Sequence, residues 1–128
     1  MHWIAIVAIL AVFVAWLAVK KVGSVSLTAA CRHLQQGARL IDVRTAEEFS
    51  AGHLPGALTT PWADVEQQIA RHAPNQEGVL LLHCLGGVRS DRGRRLLKRM
   101  GYRQVFNLGS YRRAERIVQA AATQVLKP

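Results

Sequence analysis

At 128 residues, roughly the first twenty of which form one apolar run, the chain has room for one compact domain and so for a single site. Half of the residues are hydrophobic, which argues against disorder, and there is no low-complexity tract or internal repeat. The formal net charge of +9 is unevenly placed: from Arg89 onward there are 11 Lys/Arg against Asp91 and Glu115, while Val22 to Val88 holds four Arg against six acids. The two cysteines, Cys31 and Cys84, are far apart, and no His/Cys cluster has metal-ligand spacing. They support neither a disulfide scaffold nor a zinc site.

Trp3 to Val19 reads WIAIVAILAVFVAWLAV, without Gly, Pro or charge, and Lys20-Lys21 follow at once. As a helix it would be roughly 25 Å long, at the short end of what crosses a bilayer. Trp3 and Trp16 lie near its ends, where indoles favour the interface, and lysines there can snorkel to headgroups. The lysines follow the run and no small-x-small site comes after them, which disfavours a cleaved signal peptide. A lipoprotein site at Ala29-Ala30-Cys31 is set apart from the run by the same lysines, and a buried amphipathic helix would show the polar face this run lacks. Residues 1–21 are therefore expected to be a transmembrane anchor and 22–128 the domain. Because the lysines lie on the carboxyl side of the span, the expectation is a bacterial inner-membrane protein with its domain in the cytoplasm.

After a short linker from Val22 to Ser26, elements alternate. Leu27 to Gln36 has helical spacing, with Ser26 as N-cap and Gly37 as stop, and Cys31 on its apolar side reads as a buried small hydrophobe. Arg39 to Val43 has a buried-strand pattern. Thr45-Ala46-Glu47-Glu48 fits a capping box that opens a short helix ending at Gly52, and Pro55-Gly56 marks a turn. Ala63 to His72 is expected to be helical, and Gly78 to His83 (GVLLLH) to be a strand buried on both faces. A basic helix is expected over Ser90 to Met100, a strand over Val105 to Asn107 and a last helix over Tyr111 to Val125. Strands alternating with helices predict an α/β domain with a mainly parallel sheet.

The informative junction is Leu82-His83-Cys84-Leu85-Gly86-Gly87-Val88-Arg89-Ser90, where a buried strand runs into a glycine-bearing loop and then a helix. Ligands of open α/β sheets sit at the carboxyl ends of strands. Gly86 and Gly87 allow several amides to converge at the positive end of the following helix, which would lower the Cys84 pKa and favour the nucleophilic thiolate. Arg89 could hold an oxyanion or offset charge there, or simply form a solvent ion pair. His83, one residue earlier on the strand, is expected to point to the opposite face from Cys84.

Cys84 to Ser90, CLGGVRS, resembles the C-x-x-G-x-R-S active-site loop of the rhodanese family, and Leu40 to Ala57, LIDVRTAEEFSAGHLPGA, resembles that family's L-x-D-x-R-x-x-x-E-F-x-x-G-H-I-P-G-A segment. With Gly101-Tyr102 and VFNLG at Val105 to Gly109, the likeness runs from about Ser24 to Ile117. It implies a parallel sheet flanked by helices and a sulfurtransferase without metal or organic cofactor. Cys84 would bear the persulfide, and Leu85, Gly86, Gly87, Val88 and Ser90 would form the sulfur and anion cradle, with Arg89 lining the pocket. Asp42, Arg44, Glu48 and His53 would brace the loop region. Leu85 stands where many thiosulfate-using members have a polar or basic side chain, and Ser110 replaces the second glycine of a frequent L-x-G-G stretch. Sulfur would pass from a small donor to a thiol, cyanide or protein acceptor.

Two rival readings remain: a non-catalytic, membrane-tethered binding module of the same fold, and a phosphatase or arsenate reductase with a similar cysteine loop. Four residues separate Cys84 from Arg89, against five in the cysteine phosphatases this site resembles, which disfavours tetrahedral phosphate. The basic stretch of Arg92, Arg94, Arg95, Lys98, Arg99 and Arg103 reads as a solvated face or as attraction to an anionic leaflet. No aromatic residues interleave with it, so nucleic acid is not an expected partner.

Overall fold

A computed structural model describes residues 1–21 and 24–125. The first helix, α1 (His2–Lys21), is followed by α2 (Leu27–Gln35), β1 (Arg39–Asp42), α3 (Ala46–Ala51), β2 (Leu58–Thr59), α4 (Val65–His72), β3 (Val79–His83), α5 (Val88–Arg99), β4 (Gln104–Gly109) and α6 (Tyr111–Val125). A 3-10 turn at Trp62–Asp64 leads into α4. The strands form one parallel sheet in the order β2-β1-β3-β4.

Local chemistry fixes several boundaries. The Ser26 hydroxyl accepts from the Ala29 amide at 3.2 Å to open α2. At α3 the capping box is complete: Thr45 Oγ1 accepts from Glu48 N–H and Glu48 Oε1 from Thr45 N–H, each at 3.1 Å. The basic helix begins at Val88, two residues before its expected start, because Gly87 adopts φ +99° as its N-cap. Arg89 therefore lies in the first turn of α5. The two-residue strand β2 was not expected from the sequence, and β4 extends one residue earlier and two later than expected.

Alternation along the central strands splits the core between the two faces of the sheet. On one face, Ile41, Val43, Leu80, Leu82 and Cys84 pack with Val65 and Ile69 of α4 and Leu97 of α5. On the other, Leu40, Leu81 and Leu108 pack with Ala30 and Cys31 of α2 and Ala114 and Ile117 of α6. The apolar run of β3 is thus explained by helices covering both of its sides. Helix α5 lies so close to the sheet that a Cβ on buried Gly93 would stand 3.0 Å from Leu82 Cδ2. The two cysteines are free and belong to opposite faces. Cys31 is 4% exposed, and its thiol donates to the Ile117 carbonyl at 3.6 Å, so it is a core residue placed away from Cys84.

The expected transmembrane anchor is not supported by the structure: among the described residues no helix is long and apolar enough to cross a membrane. Helix α1 runs from His2 to Lys21, and its side chains are described as far as Leu17. Within it the large apolar side chains, Trp3, Ile9 and Val12 among them, are exposed. The expected domain boundary at Val22 lies outside the described residues, as do the side chains of Lys20 and Lys21. From Ser24 the chain joins the domain, with Val25 N–H donating to the Asn107 carbonyl.

Candidate functional site

Strand order places the site. β1 is followed outward by β2, and β3 outward by β4, so the chain diverges between the carboxyl ends of β1 and β3. Such a divergence leaves a crevice where ligands of open α/β sheets bind. Cys84 follows β3 directly, while Arg44, Thr45 and Glu48 follow β1.

Cys84 is 1% exposed, and its Sγ accepts from the Gly87 amide at 2.9 Å. Burial pushes the thiol upward, but hydrogen bonds from the Ser90 hydroxyl and from the Ser90, Gly87 and Gly86 amides outweigh it, so the Cys84 pKa lies below its ordinary value. The Ser90 hydroxyl is within reach of three acceptors: Asn107 Oδ1 at 2.7 Å, the Gly87 carbonyl at 3.1 Å and Cys84 Sγ at 3.4 Å. Its one proton serves Asn107 most closely when the thiol is neutral. Ionisation of Cys84 makes the bond to sulfur charge-assisted, and Asn107 Oδ1 still accepts from the Gly109 amide at 2.8 Å.

Arg89 is engaged by a carboxylate. Its guanidinium donates to both oxygens of Glu48, Nη1 to Oε1 at 2.9 Å and Nη2 to Oε2 at 3.3 Å. That bond, helped by the Thr45 amide, depresses the Glu48 carboxyl to about 2 and raises Arg89. Arg89 thus lines the site with its charge largely balanced. Leu85 and Val88 are 59% and 65% exposed on the rim, so they contribute backbone to the loop while their side chains face outward.

The residues around the loop divide into braces and bystanders. Arg44 clamps Asp42 through Nε and Nη2 at 2.8–3.0 Å, donates to the Gly52 carbonyl at 2.8 Å and lies 4.7 Å above the Tyr111 ring. The Tyr111 amide in turn donates to the Leu85 carbonyl at 3.1 Å. Asp42, Arg44 and Glu48 therefore support the loop region, whereas exposed His53, two residues past the end of α3, stacks on Phe49 and approaches the Phe49 carbonyl. His83 points away from Cys84, as expected. It is fully buried against the edge of Tyr111, with Nδ1 at 3.3 Å from the Cys84 carbonyl and Nε2 at 3.8 Å from Asp42 without a hydrogen bond. Burial lowers its pKa, so His83 is neutral near pH 7.

Asn107 received no role from the sequence. Its amide donates to the Gly87 carbonyl at 3.2 Å and its oxygen receives Ser90 and Gly109, which ties the cysteine loop to β4. A register shift opposite Leu82 and His83 creates the bulge that aims it. Among the described residues no cluster of His, Cys, Asp or Glu could hold a metal ion. A surface cleft lined by Leu34, Gly37, Leu40 and Leu58 contains no nucleophile.

Comparison with known proteins agrees with this geometry. The family model described as a rhodanese-like domain matches residues 26–113. Thiosulfate sulfurtransferase PspE of Escherichia coli K12 is 33% identical over 69 residues, covering 54% of this chain and 66% of that protein. Chloroplastic thiosulfate sulfurtransferase 16 of Arabidopsis thaliana is 33% identical, covering 69% of this chain and 82% of that one. The human single-domain sulfurtransferase TSTD1 superposes with a TM-score of 0.64 at 33% identity, covering 73% of this chain and 96% of that structure. Of three bacterial relatives it matches, PspE among them, the chain spans 66%, 36% and 55% of their own lengths.

Proposed function

Because the chain belongs to the rhodanese-like domain family, we propose that it is a sulfurtransferase that carries sulfane sulfur as a persulfide on Cys84. The observation that carries this reading is the buried Cys84 sulfur, held by the Gly87 amide at 2.9 Å in a ring of donors that lowers its pKa. The names of its relatives, thiosulfate sulfurtransferases among them, support the same chemistry.

In the first half-reaction the Cys84 thiolate attacks the terminal sulfur of a sulfane donor. The donor's S–S bond breaks and its leaving group departs with the electron pair. The outer sulfur then sits where amides of the Leu85 to Ser90 loop converge. In the second half-reaction cyanide or a thiolate attacks that sulfur, and the Cys84 thiolate leaves into the same ring of donors. Both steps are displacements at sulfur, and the chain's own groups suffice for them.

Cys84→Ser keeps the side chain's size and removes the nucleophile, so transfer from a sulfane donor to cyanide should be lost while the fold stays intact. Cys31→Ser should retain most activity. Cys84→Ser turnover near the parent rate would overturn the assignment, and brisk aryl-phosphate hydrolysis without sulfur transfer would favour a phosphatase.

The proposal extends to location. The exposed apolar run of α1 serves to attach the domain, from about residue 22 onward, to a bacterial inner membrane, with the domain on the cytoplasmic side. Full-length chain should sediment with membranes, and a chain starting at Ser24 should not. Protease added outside intact spheroplasts should leave the domain uncut; ready digestion would reverse the topology.

A further inference from the structure

Apart from Met1, Leu27 and the α1 side chains, Leu85 and Val88 are the large hydrophobic residues that stand exposed among the described residues, and they flank the cysteine loop. An apolar pair at the rim of a buried nucleophile is a place to dock rather than a packing requirement. Val88 also begins a stripe. Arg92, Arg95 and Arg99 follow it at intervals of four, three and four along α5, and all three are exposed. Arg95 shares Asp91 with Arg94, while Arg92 and Arg99 have no acidic partner among the described residues. On the other side of the loop, the Tyr111 amide bonded to Leu85 brings the start of α6, with exposed Arg112, against the same rim.

We propose that Leu85 and Val88, continued by Arg92, Arg95 and Arg99, form the docking surface for a protein acceptor whose reactive thiol sits in an apolar, acid-flanked segment. This rests on the persulfide reading of Cys84. A cyanide ion or a free small thiol would not need an apolar rim followed by a cationic stripe about two turns long. An anionic bilayer fits the stripe less well, because the stripe starts at the mouth of the site and lipid lying along it would cover Cys84. In the transfer step the partner's thiolate attacks the outer sulfur of the Cys84 persulfide. A new S–S bond forms on the partner, the Cys84–S bond breaks, and its electron pair stays on the Cys84 thiolate with no net oxidation.

The test loads the full-length protein with inorganic polysulfide and follows sulfur transfer to cyanide and to two synthetic cysteine peptides. Both peptides have leucines beside the thiol; one carries aspartates at both ends and the other lysines. The acidic peptide should be persulfidated about 10-fold faster than the basic one at low salt, with the difference shrinking as salt rises. The double variant Arg92→Glu/Arg99→Glu, on exposed positions outside the cysteine loop, should abolish or invert that preference and leave transfer to cyanide unchanged. Equal rates for the two peptides, or a preference untouched by the double variant, would overturn the docking surface alone. Loss of binding to phosphatidylglycerol vesicles in the double variant, with peptide rates unaltered, would overturn it in favour of a lipid contact. Failure to transfer sulfur even to cyanide would instead overturn the persulfide reading, and the surface with it.

Discussion

Replacing Gly87 by alanine would strike the site at the residue that turns β3 into α5. The new Cβ would lie 3.2 Å from Gly109 Cα and 3.3 Å from its carbonyl carbon, both backbone atoms at the end of β4 that have no rotamer to escape into. The φ of +99° adds strain for any L side chain, so strain and crowding together should cost about 2–4 kcal/mol. In a domain of this size that lowers the melting temperature by about 10–25 °C. Relief would come from the loop moving outward, which lengthens the 2.9 Å bond from the Gly87 amide to Cys84 Sγ. A hydrogen bond to a charged acceptor contributes about 1.5–3 kcal/mol, and weakening it disfavours the thiolate, so the pKa of the thiol should move up toward its ordinary value. Iodoacetamide alkylation of Cys84 as a function of pH, in a Cys31→Ser background, reads that shift, and urea unfolding reads the stability. An unchanged alkylation profile in a clearly destabilised variant would refute the claim that this amide holds the thiolate.

Other substitutions test separate parts of the account. His83 has a lowered pKa in a pocket faced by Asp42, Arg44 and Tyr111; below its unfolded value of 6.5 the unfolded chain binds a proton that the folded chain refuses, so stability should fall as pH drops through that range, and His83→Gln should flatten the slope in urea titrations. Glu48→Gln keeps an acceptor for the Thr45 amide yet frees Arg89, so the KM for thiosulfate should fall several-fold with little change in kcat; an unaltered KM would show that the Arg89–Glu48 pair does not limit dianion binding. Gly93→Val should lose about 2–4 kcal/mol in chemical denaturation because Leu82, fully buried, has no room to yield. Removal of residues 1–23 should leave sulfur transfer to cyanide within about two-fold of the full chain in detergent, since core contacts begin with Val25 and α2; an insoluble or inactive product would make α1 part of the domain.

Features written in neighbouring residues were legible before any coordinates. The Thr45 to Glu48 capping box, the Ser26 cap and the doubly buried run of β3 need only local pattern, and each appears where expected. The start of α5 was misplaced because a β-branched Val88 after two glycines does not look helical; only the positive φ of Gly87 shows that the helix begins there. β2 was invisible because two residues carry no period, and its existence depends on pairing with Ile41 and Asp42. At the site, the CLGGVRS loop marked Cys84, but the roles of its neighbours depend on partners distant in sequence. Arg89 meets Glu48 across 41 positions, and Asn107 reaches Ser90 only through the β3–β4 register. The anchor expectation rested on hydropathy alone, and among the described residues no helix is long and apolar enough to cross a membrane.

The most direct test of the central claim is intact and peptide mass spectrometry of the purified protein after exposure to a sulfane donor. The account predicts one added sulfur on the peptide containing Cys84, none on that containing Cys31, and its removal by cyanide with stoichiometric thiocyanate. No added sulfur on Cys84, with the protein folded and its thiol shown by alkylation to be free, would contradict it.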